Sequence, residues 1–295
     1  MHEPHYERPQ SAEEACALLA YPEKHARVLA GGTDLLVDFH LHGTAEVGAI
    51  VDIKGPPGIA DIRWTDAGDL EIGACVTMRQ IYEDERLSAT YPALSEGAKS
   101  VGSPQVRHRA TIGGNLCNAS PGMDTAPPLL VLDARIHLAG PEGKERTLPL
   151  KDFFVGVKRT ALEPGEIALG LTLPATAQKR SSAFDKIKRV NGHDIALVNV
   201  AVSYDPDARI LQGTVGSAAI TPIVLPAIGD VAPNAAGADA VGDRLAESAI
   251  EHISPISDVR ASETYRRAMV ALLCRRLIKR LLAPTTPPND AGKEA

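Results

Sequence analysis

A chain of 295 residues is long for a single hydrophobic core, so its length predicts two or three lobes. The net charge of −6 and the aromatic content of 4% argue against nucleic-acid binding, which relies on basic surfaces and aromatic stacking. No apolar run reaches membrane-spanning length and the N-terminus lacks the apolar core of a signal peptide, so a cytoplasmic protein is expected. The four cysteines are far apart, which predicts neither a disulfide framework nor a metal or iron–sulfur site made by this chain alone.

The first lobe is predicted to span residues 1–55 and to mix helix with strand. Ser11, followed by an alanine and two acids, is typical of a helix start. Short apolar runs predict strands at Val28–Ala30 and Ile50–Ile53. The sequence Gly-Pro-Pro-Gly at residues 55–58 ends the lobe, because glycine and proline favour turns.

The second lobe, residues 56–175, is predicted to contain short strands and helices around a central glycine loop. Two apolar segments separated by polar residues predict a hairpin near its start. Thr77 is predicted to cap a helix. The predicted hairpin strands are Ile62–Trp64 and Leu70–Ala74, a later helix is Tyr91–Ser100, and the closing strand is Ile167–Leu173.

A third lobe is predicted over residues 182–283, after a linker at residues 175–181, and residues 284–295 are predicted to form a disordered tail. The lobe begins with a predicted antiparallel meander and ends with two predicted helices. In the last helix, apolar residues at four-residue spacing predict a buried stripe opposite a basic face, which is either a solvated surface or a docking site for an acidic partner. The stripe consists of Tyr265, Met269, Leu273, Leu277 and Leu281, and the basic face of Arg266, Arg267, Arg275 and Lys279.

Two diglycine loops carry the residues best suited to binding a ligand. The first, Gly31-Gly32, follows a predicted strand, and the second, Gly113-Gly114, is followed by small polar residues. A backbone without Cβ atoms can approach a ligand closely, and its N–H groups can converge on a phosphate. Neither loop fits the Rossmann or Walker pattern, and an isolated diglycine is also typical of a tight turn between strands. The occurrence of both loops favours one shared ligand.

Four segments taken together resemble a known family. They are Ala30–Leu36 (AGGTDLL), Val101–Asn115 (VGSPQVRHRATIGGN), Asp124–Ala134 (DTAPPLLVLDA) and Ser262–Arg267 (SETYRR). Their order and spacing resemble the FAD-binding medium subunit of the molybdenum hydroxylases, the xanthine and carbon monoxide dehydrogenase family. The chain looks especially similar to the β subunit of 4-hydroxybenzoyl-CoA reductase, but it lacks the inserted cysteine-rich segment that binds an extra 4Fe-4S cluster in that subunit. We therefore expect no extra cluster here.

The resemblance implies an α+β fold, with a two-lobed FAD-binding domain of the vanillyl-alcohol-oxidase/PCMH type followed by a C-terminal antiparallel sheet with helices. FAD would lie between the first two lobes. The residues of the first loop would surround its pyrophosphate, those of the central loop its other side, and the remaining residues its sugar hydroxyls and flavin ring. In that order, the implied residues are Ala30, Gly31, Gly32, Thr33, Asp34 and Leu35; Thr111, Gly114, Asn115 and Asn118; then Asp124 at the hydroxyls and Val101, Lys186 and a backbone group near Ile167–Leu169 at the ring.

The residue types agree with these implied roles, although plainer interpretations exist for two of them. A pyrophosphate needs N–H donors more than cations, and a carboxylate such as Asp124 suits sugar hydroxyls. A cation such as Lys186 would stabilise a reduced, anionic flavin. Asp124 is alternatively a helix cap, and Lys186 alternatively a surface lysine.

Three functions remain open from the sequence. The first is an electron-transfer subunit: substrate would react at a molybdenum cofactor on a large partner chain, and electrons would pass through 2Fe-2S clusters on a small partner to FAD and then to an external acceptor such as NAD. The second is a self-contained FAD-dependent oxidoreductase of related fold. The third is a binding or assembly module without turnover. No nucleophile–base pair is recognisable in the sequence, which favours the first function.

Overall fold

The computed structural model describes residues 3–21, 25–232 and 235–282, so the predicted tail at residues 284–295 lies outside the described residues. Among the described helices, none is both long and apolar enough to cross a membrane. The architecture mixes helices with four separate sheets, which confirms the α+β prediction.

The first lobe is built on a three-stranded parallel sheet with strand order β1-β3-β2. The Ser11 hydroxyl accepts the Glu14 N–H at 3.1 Å and begins the first helix, as predicted. In a parallel sheet the carboxyl ends of the strands share one edge, so the first diglycine loop, which follows β2, lies beside the segment that follows β3. The elements are β1 (His5–Glu7), α1 (Ala12–Leu19), β2 (Ala26–Leu29), α2 (Leu35–His42) and β3 (Ala49–Asp52).

The second lobe contains a five-stranded antiparallel sheet with strand order β4-β5-β10-β6-β7. The predicted hairpin is present, and Thr77 caps α3 with a reciprocal capping box to Gln80. Strand β10 is contributed from the end of the lobe and pairs between β5 and β6. The elements are β4 (Ile62–Trp64), β5 (Leu70–Gly73), α3 (Met78–Glu83), α4 (Glu85–Thr90), α5 (Pro92–Ser100), α6 (Pro104–Arg107), α7 (Ile112–Asn118), α8 (Ala126–Val131), β6 (Arg135–Ala139), β7 (Glu145–Pro149), β8 (Phe154–Gly156), β9 (Arg159–Thr160) and β10 (Ile167–Leu173).

The third lobe is the predicted antiparallel meander, extended by one short strand and packed against two helices. Its elements are β11 (Ser181–Ile187), β12 (Val198–Asp205), β13 (Ile210–Gly216), β14 (Ile223–Val224), α9 (Ala238–His252) and α10 (Glu263–Leu282). The predicted linker forms a short 3-10 helix, Ala175–Lys179, that leads directly into β11.

Within the described ranges, the buried apolar residues form two clusters rather than three. One extends over the first two lobes, from Ala15 to Ala177, and also takes in Phe184 and Ala201 of the third. The other holds the sheet and helices of the third lobe together. The sequence-based division at residues 1–55, 56–175 and 182–283 stays a prediction, and the shared core shows that the first two lobes pack as one body.

The predicted buried stripe of α10 is correct at Leu273 and Leu277, which are fully buried, but wrong at its N-terminal end. Tyr265 is 43% exposed, whereas Arg266, assigned to the basic face, is buried. A four-residue spacing drifts by about 40° at each step, because each residue turns an α-helix by about 100°. The buried face therefore alternates three- and four-residue steps and consists of Arg266, Val270, Leu273, Cys274, Leu277, Ile278 and Leu282.

Candidate cofactor-binding cleft

A cleft of about 680 Å³ lies between the first two lobes and is bordered on one side by the hairpin that joins β11 to β12. Its walls come from the loop after β2, from α7 and the segments on either side of it, from β10, and from residues 193–195 of that hairpin. Ligand pockets span about 300–1,000 Å³, so this cleft has room for a cofactor-sized molecule. Both diglycine loops therefore face one cavity, as the sequence predicted.

The first loop offers a run of backbone donors to this cleft. Among the described residues, no acceptor is hydrogen-bonded to the N–H groups of residues 31–35. Gly32 has φ = +76°, a conformation that side chains disfavour and that lets successive N–H groups converge. Two carbonyls of this stretch are in use, since the Gly32 oxygen accepts from Leu36 and the Ala30 oxygen from Lys54. The adjacent N–H groups of residues 31–35 suit an anion.

The two diglycine loops are in direct contact. A Cβ at Gly31 would lie 2.1 Å from the Arg109 carbonyl oxygen, and a Cβ at Gly114 would lie 3.9 Å from the Ala30 Cβ. The Asn118 amide donates to the Asp34 carboxylate at 3.1 Å across the gap. The absence of a side chain at Gly31 is what allows the two segments to come so close.

The central loop differs from its prediction, because its backbone donors are consumed inside the protein. Gly113 donates to the Ala74 carbonyl at 2.9 Å, Gly114 to the Thr111 hydroxyl at 3.2 Å and Asn115 to the Thr111 carbonyl at 3.0 Å. Thr111 is the N-cap of α7, so the diglycine forms the first turn of a helix rather than an open loop. Gly113 packs against Ala74, the residue that follows β5, where a Cβ would lie 2.6 Å from that of Ala74. The central segment therefore provides the cleft with side chains, and with a backbone whose N–H groups at residues 113–115 are already hydrogen-bonded.

Asn115 is the clearest of those side chains. Its Oδ1 atom accepts the Thr125 hydroxyl at 2.6 Å, which leaves its NH₂ group to donate into the cleft that it lines. With Asn118 and Ser120 it adds neutral hydrogen-bonding groups to the wall opposite the first loop.

Asp124 lies at the junction between the cleft and the third lobe. Its carboxylate contacts the Lys186 ammonium at 2.5 Å and the Asn199 amide at 3.2 Å, and Lys186 also donates to the Ser100 carbonyl at 2.9 Å. The two charged side chains are only 7% and 5% exposed. Burial raises the pKa of Asp124, and the Lys186 ammonium and the Asn199 amide oppose that rise.

These contacts exclude the two alternative interpretations, in which Asp124 is a helix cap and Lys186 a surface lysine. Asp124 does not cap α8, whose N-cap is Thr125. Lys186 is not a surface lysine, because it is buried against a carboxylate. The pair links the second lobe to β11 of the third, and a buried ion pair is stable only when both partners are present.

The structure brings most of the predicted site residues together. Leu169 and Lys186 are not among the residues that line the cleft: the Leu169 carbonyl accepts from Ala74 at a bulge in β10, and Lys186 lies behind Asp124. The predicted residues that do line it are Ala30, Gly31, Gly32, Thr33, Asp34, Leu35, Val101, Thr111, Gly114, Asn115, Asn118, Asp124 and Ile167.

Some residues of the cleft were not assigned to the cofactor site by the sequence analysis. His193, Asp194 and Ile195 reach it from the third lobe, and the Ile195 side chain packs against Gly122. Glu166 lies in the wall, where a two-pronged hydrogen bond from Arg146 lowers its pKa despite its burial. No local pattern marks these residues, because only the packing of the lobes brings them to the cleft.

Comparisons with known proteins agree with this architecture. A family described as the FAD binding domain in molybdopterin dehydrogenase matches residues 2–176, and one described as the CO dehydrogenase flavoprotein C-terminal domain matches residues 182–281. The chain is 31% identical over 282 residues to the xanthine dehydrogenase FAD-binding subunit of Escherichia coli O157:H7, which covers 94% of this chain and 96% of that relative. It is 32% identical over 286 residues to the carbon monoxide dehydrogenase medium chain of Hydrogenophaga pseudoflava, covering 92% of this chain and 95% of that one.

Solved structures show the same likeness. Carbon monoxide dehydrogenase from Hydrogenophaga pseudoflava superposes with a TM-score of 0.83 at 29% identity, over 96% of this chain and 98% of that one. Quinoline 2-oxidoreductase from Pseudomonas putida 86 superposes with a TM-score of 0.83 at 26% identity, over 95% and 97%. The predicted family and fold are thus confirmed. The chain belongs to the FAD-binding medium subunits of the xanthine and carbon monoxide dehydrogenase family, and it is the FAD-carrying subunit of a molybdenum hydroxylase complex.

Proposed function

We propose that this chain transfers electrons between 2Fe-2S clusters on a small partner chain and an external acceptor or donor such as NAD, while the organic substrate reacts at a molybdenum cofactor on a large partner. The observation that carries this proposal is a cleft of about 680 Å³ lined both by residues 31–35, whose N–H groups have no partner among the described residues, and by Asn115, whose NH₂ group is left to donate. Such a cleft suits a cofactor. Two carboxylates in its wall, Glu166 and Asp194, are each hydrogen-bonded by an arginine, Arg146 and Arg189.

The residues present fit FAD. The N–H groups of Gly31, Gly32 and Thr33 would bind the pyrophosphate, because converging amides bind phosphate without requiring side-chain cations. Thr111, Gly114, Asn115 and Asn118 would contact the other side of the dinucleotide. Bound FAD supplies the redox chemistry, since flavin exchanges single electrons with iron–sulfur clusters and electron pairs with soluble acceptors.

The roles of the remaining predicted residues are part of the same proposal. Asp124 would accept hydrogen bonds from sugar hydroxyls with the part of its carboxylate that faces the cleft, while Lys186 and Asn199 hold it in place. Val101 would pack on the flavin ring and a backbone group near Ile167 would line its edge. Lys186 lies behind the Asp124 carboxylate, so it would stabilise the charge of a reduced flavin ring through Asp124 rather than by direct contact.

Exposed apolar side chains around the cleft support an assembly with partner chains. Helix α2 directly follows the first loop and has no buried residue, with Leu36, Val37 and Leu41 more than half exposed. On the hairpin from the third lobe, Val190 is 58% exposed and Ile195 is 48% exposed. Apolar surface of this kind marks sites of protein contact. The cytoplasmic location predicted from the sequence and the special likeness to 4-hydroxybenzoyl-CoA reductase stay predictions within this proposal.

The test is purification of the tagged full-length chain from its own cells. We expect a yellow protein absorbing near about 450 nm, the region of oxidised flavin. It should travel with a molybdenum-containing chain and an iron–sulfur chain, both identified by mass spectrometry and metal analysis. Anaerobic addition of substrate to the complex should bleach the flavin, and NAD should restore its colour.

Other outcomes contradict the proposal in distinct ways. A yellow chain that turns over an organic substrate alone would establish the self-contained oxidoreductase. A colourless chain in an intact complex would establish an assembly module. A complex in which the flavin bleaches but NAD does not restore its colour would contradict only the choice of NAD as the external acceptor.

A further inference from the structure

Two charged residues hold the first diglycine loop from outside the cleft. Asp52 ends β3 and is 4% exposed, and Lys54 follows two residues later. Neither Asp52 nor Lys54 is among the described residues that line the cleft. Both lie at the edge of the parallel sheet where the loop leaves the neighbouring strand β2.

The Asp52 carboxylate is hydrogen-bonded on both oxygens. Oδ1 contacts the Lys54 ammonium at 2.6 Å and accepts the Lys54 backbone N–H at 3.1 Å, and Oδ2 accepts the Tyr6 hydroxyl at 2.5 Å. Burial alone would raise the pKa of Asp52, but hydrogen bonds from Lys54 and Tyr6 outweigh it and lower that pKa. The carboxylate is thus ionised at neutral pH and fixes the ammonium in place.

The Lys54 ammonium donates to the Ala30 carbonyl at 2.9 Å. Ala30 immediately precedes Gly31, and in a planar trans peptide the C=O and the following N–H point in opposite directions. Holding the Ala30 oxygen therefore sets the direction of the Gly31 N–H, the first member of the unpaired run at residues 31–35. Glycine has the most backbone freedom of any residue, so the segment needs an anchor of this kind.

We propose that Lys54, held by Asp52, is a positioning residue that aims the N–H groups of the first loop at the pyrophosphate of a bound dinucleotide. This inference rests on the proposed role of the loop in binding FAD. The ammonium acts through the peptide group rather than by attracting the phosphate, because the Asp52 carboxylate at 2.6 Å neutralises its charge. Neither residue lies in the four segments that resemble the family.

The experiment measures dissociation constants for FAD, ADP and riboflavin on the full-length protein after its flavin has been removed. Lys54→Met and Asp52→Asn should each weaken FAD and ADP binding about tenfold or more, the amount associated with one hydrogen bond to a charged group. Riboflavin has no phosphate, so its binding should change less than about twofold. Lys54→Arg should recover part of the affinity, because a guanidinium can also donate to the Ala30 oxygen. Lys151→Met, an exposed lysine elsewhere in the second lobe, is the matched control and should change nothing.

The Asp52→Asn variant separates positioning from simple attraction. It retains the Lys54 charge but releases its partner, so attraction predicts tighter FAD binding and positioning predicts weaker binding. Tighter binding, unchanged binding in Lys54→Met, or an equal loss for riboflavin would each overturn the inference. If Lys54→Met does not fold, Tyr6→Phe is tested in its place, because Tyr6 is 58% exposed. Loss of the Tyr6 hydroxyl should weaken FAD binding about threefold and leave riboflavin binding unchanged. If the wild-type protein binds no FAD, the proposed function fails instead.

Discussion

The Arg109 carbonyl oxygen lies 2.1 Å from the point where a Cβ at Gly31 would begin. This contact joins the first diglycine loop to the segment that leads into α7. Any side chain at residue 31 must push the two lobes apart or distort one of the loops.

Gly31→Ala therefore tests the contact directly. We expect the free energy of unfolding to fall by about 1–3 kcal/mol, as for other overpacked sites, and FAD binding to weaken at least tenfold because the loop donors move. Chemical denaturation and flavin titration measure the two effects. Gly229→Ala is the control, since a Cβ there meets no atom within 4 Å. A Gly31→Ala variant with wild-type affinity would show that the loops do not need to touch.

Gly114→Val tests the other face of the same gap. The Cβ would lie 2.8 Å from the Thr111 hydroxyl, and the methyl groups would project from α7 toward the first loop. We expect the purified protein to lose its flavin while β12 and α10 in the third lobe keep their hydrogen-exchange protection. The ratio of absorbance near about 450 nm to that near about 280 nm reports flavin content. Retention of one flavin per chain would remove the central segment from the cofactor site, and Gly229→Val provides the comparison.

Lys186→Met should destabilise the junction between the second and third lobes. Removing one partner leaves the Asp124 charge buried, which typically costs about 3–5 kcal/mol. Lys179→Met is the matched control: its ion pair with Asp207 is 71% and 69% exposed, so its loss should leave the free energy of unfolding nearly unchanged. Urea unfolding of both variants, and of the double variant Asp124→Asn/Lys186→Met, measures the difference. If the double variant is no more stable than Lys186→Met alone, the two side chains are not coupled.

Asp258 should make the third lobe sensitive to acid. Burial by itself would raise the pKa of this carboxyl, but hydrogen bonds from the N–H groups of Arg260 and Ala261 and from Arg266 lower it to about 2. A lowered folded-state pKa stabilises the fold above the unfolded-state pKa of about 3.9, and the stabilisation is lost as the pH falls toward 2. We expect the unfolding free energy of the wild type to decrease across this interval. Asp258→Asn should decrease less steeply over the same interval, and identical slopes would contradict the assignment.

Much of the local structure follows from the sequence, because its causes are local. Ser11 and Thr77 cap helices through hydroxyls three residues from the N–H groups they accept. The three long strands of the third lobe follow one another as a meander, so neighbours in the sequence are also neighbours in the sheet. The spacing of the two diglycine loops indicated the family, and the matches over residues 2–176 and 182–281 confirm it.

Which residues of helix α10 face the core was harder to predict. Four-residue spacing suggested that Tyr265 is buried and Arg266 exposed, and the structure shows the reverse. Arg266 is buried because Asp258 and the carbonyls of Leu197 and Ser217 all accept from it. Those acceptors come from other parts of the lobe, so no helix pattern reveals them.

The sequence by itself indicated the two loops that face the cleft, because glycine and small polar residues have strong local consequences. The family and the cofactor followed from the resemblance of four segments to a known family. Only the tertiary structure decided which groups of those loops remain for a ligand. It showed that the N–H groups of Gly113 and Gly114 bond within the protein, while those at residues 31–35 have no partner among the described residues. It also placed Lys54 on the Ala30 carbonyl and Lys186 on Asp124. These choices depend on contacts between segments distant in the chain, which form only when the lobes pack together.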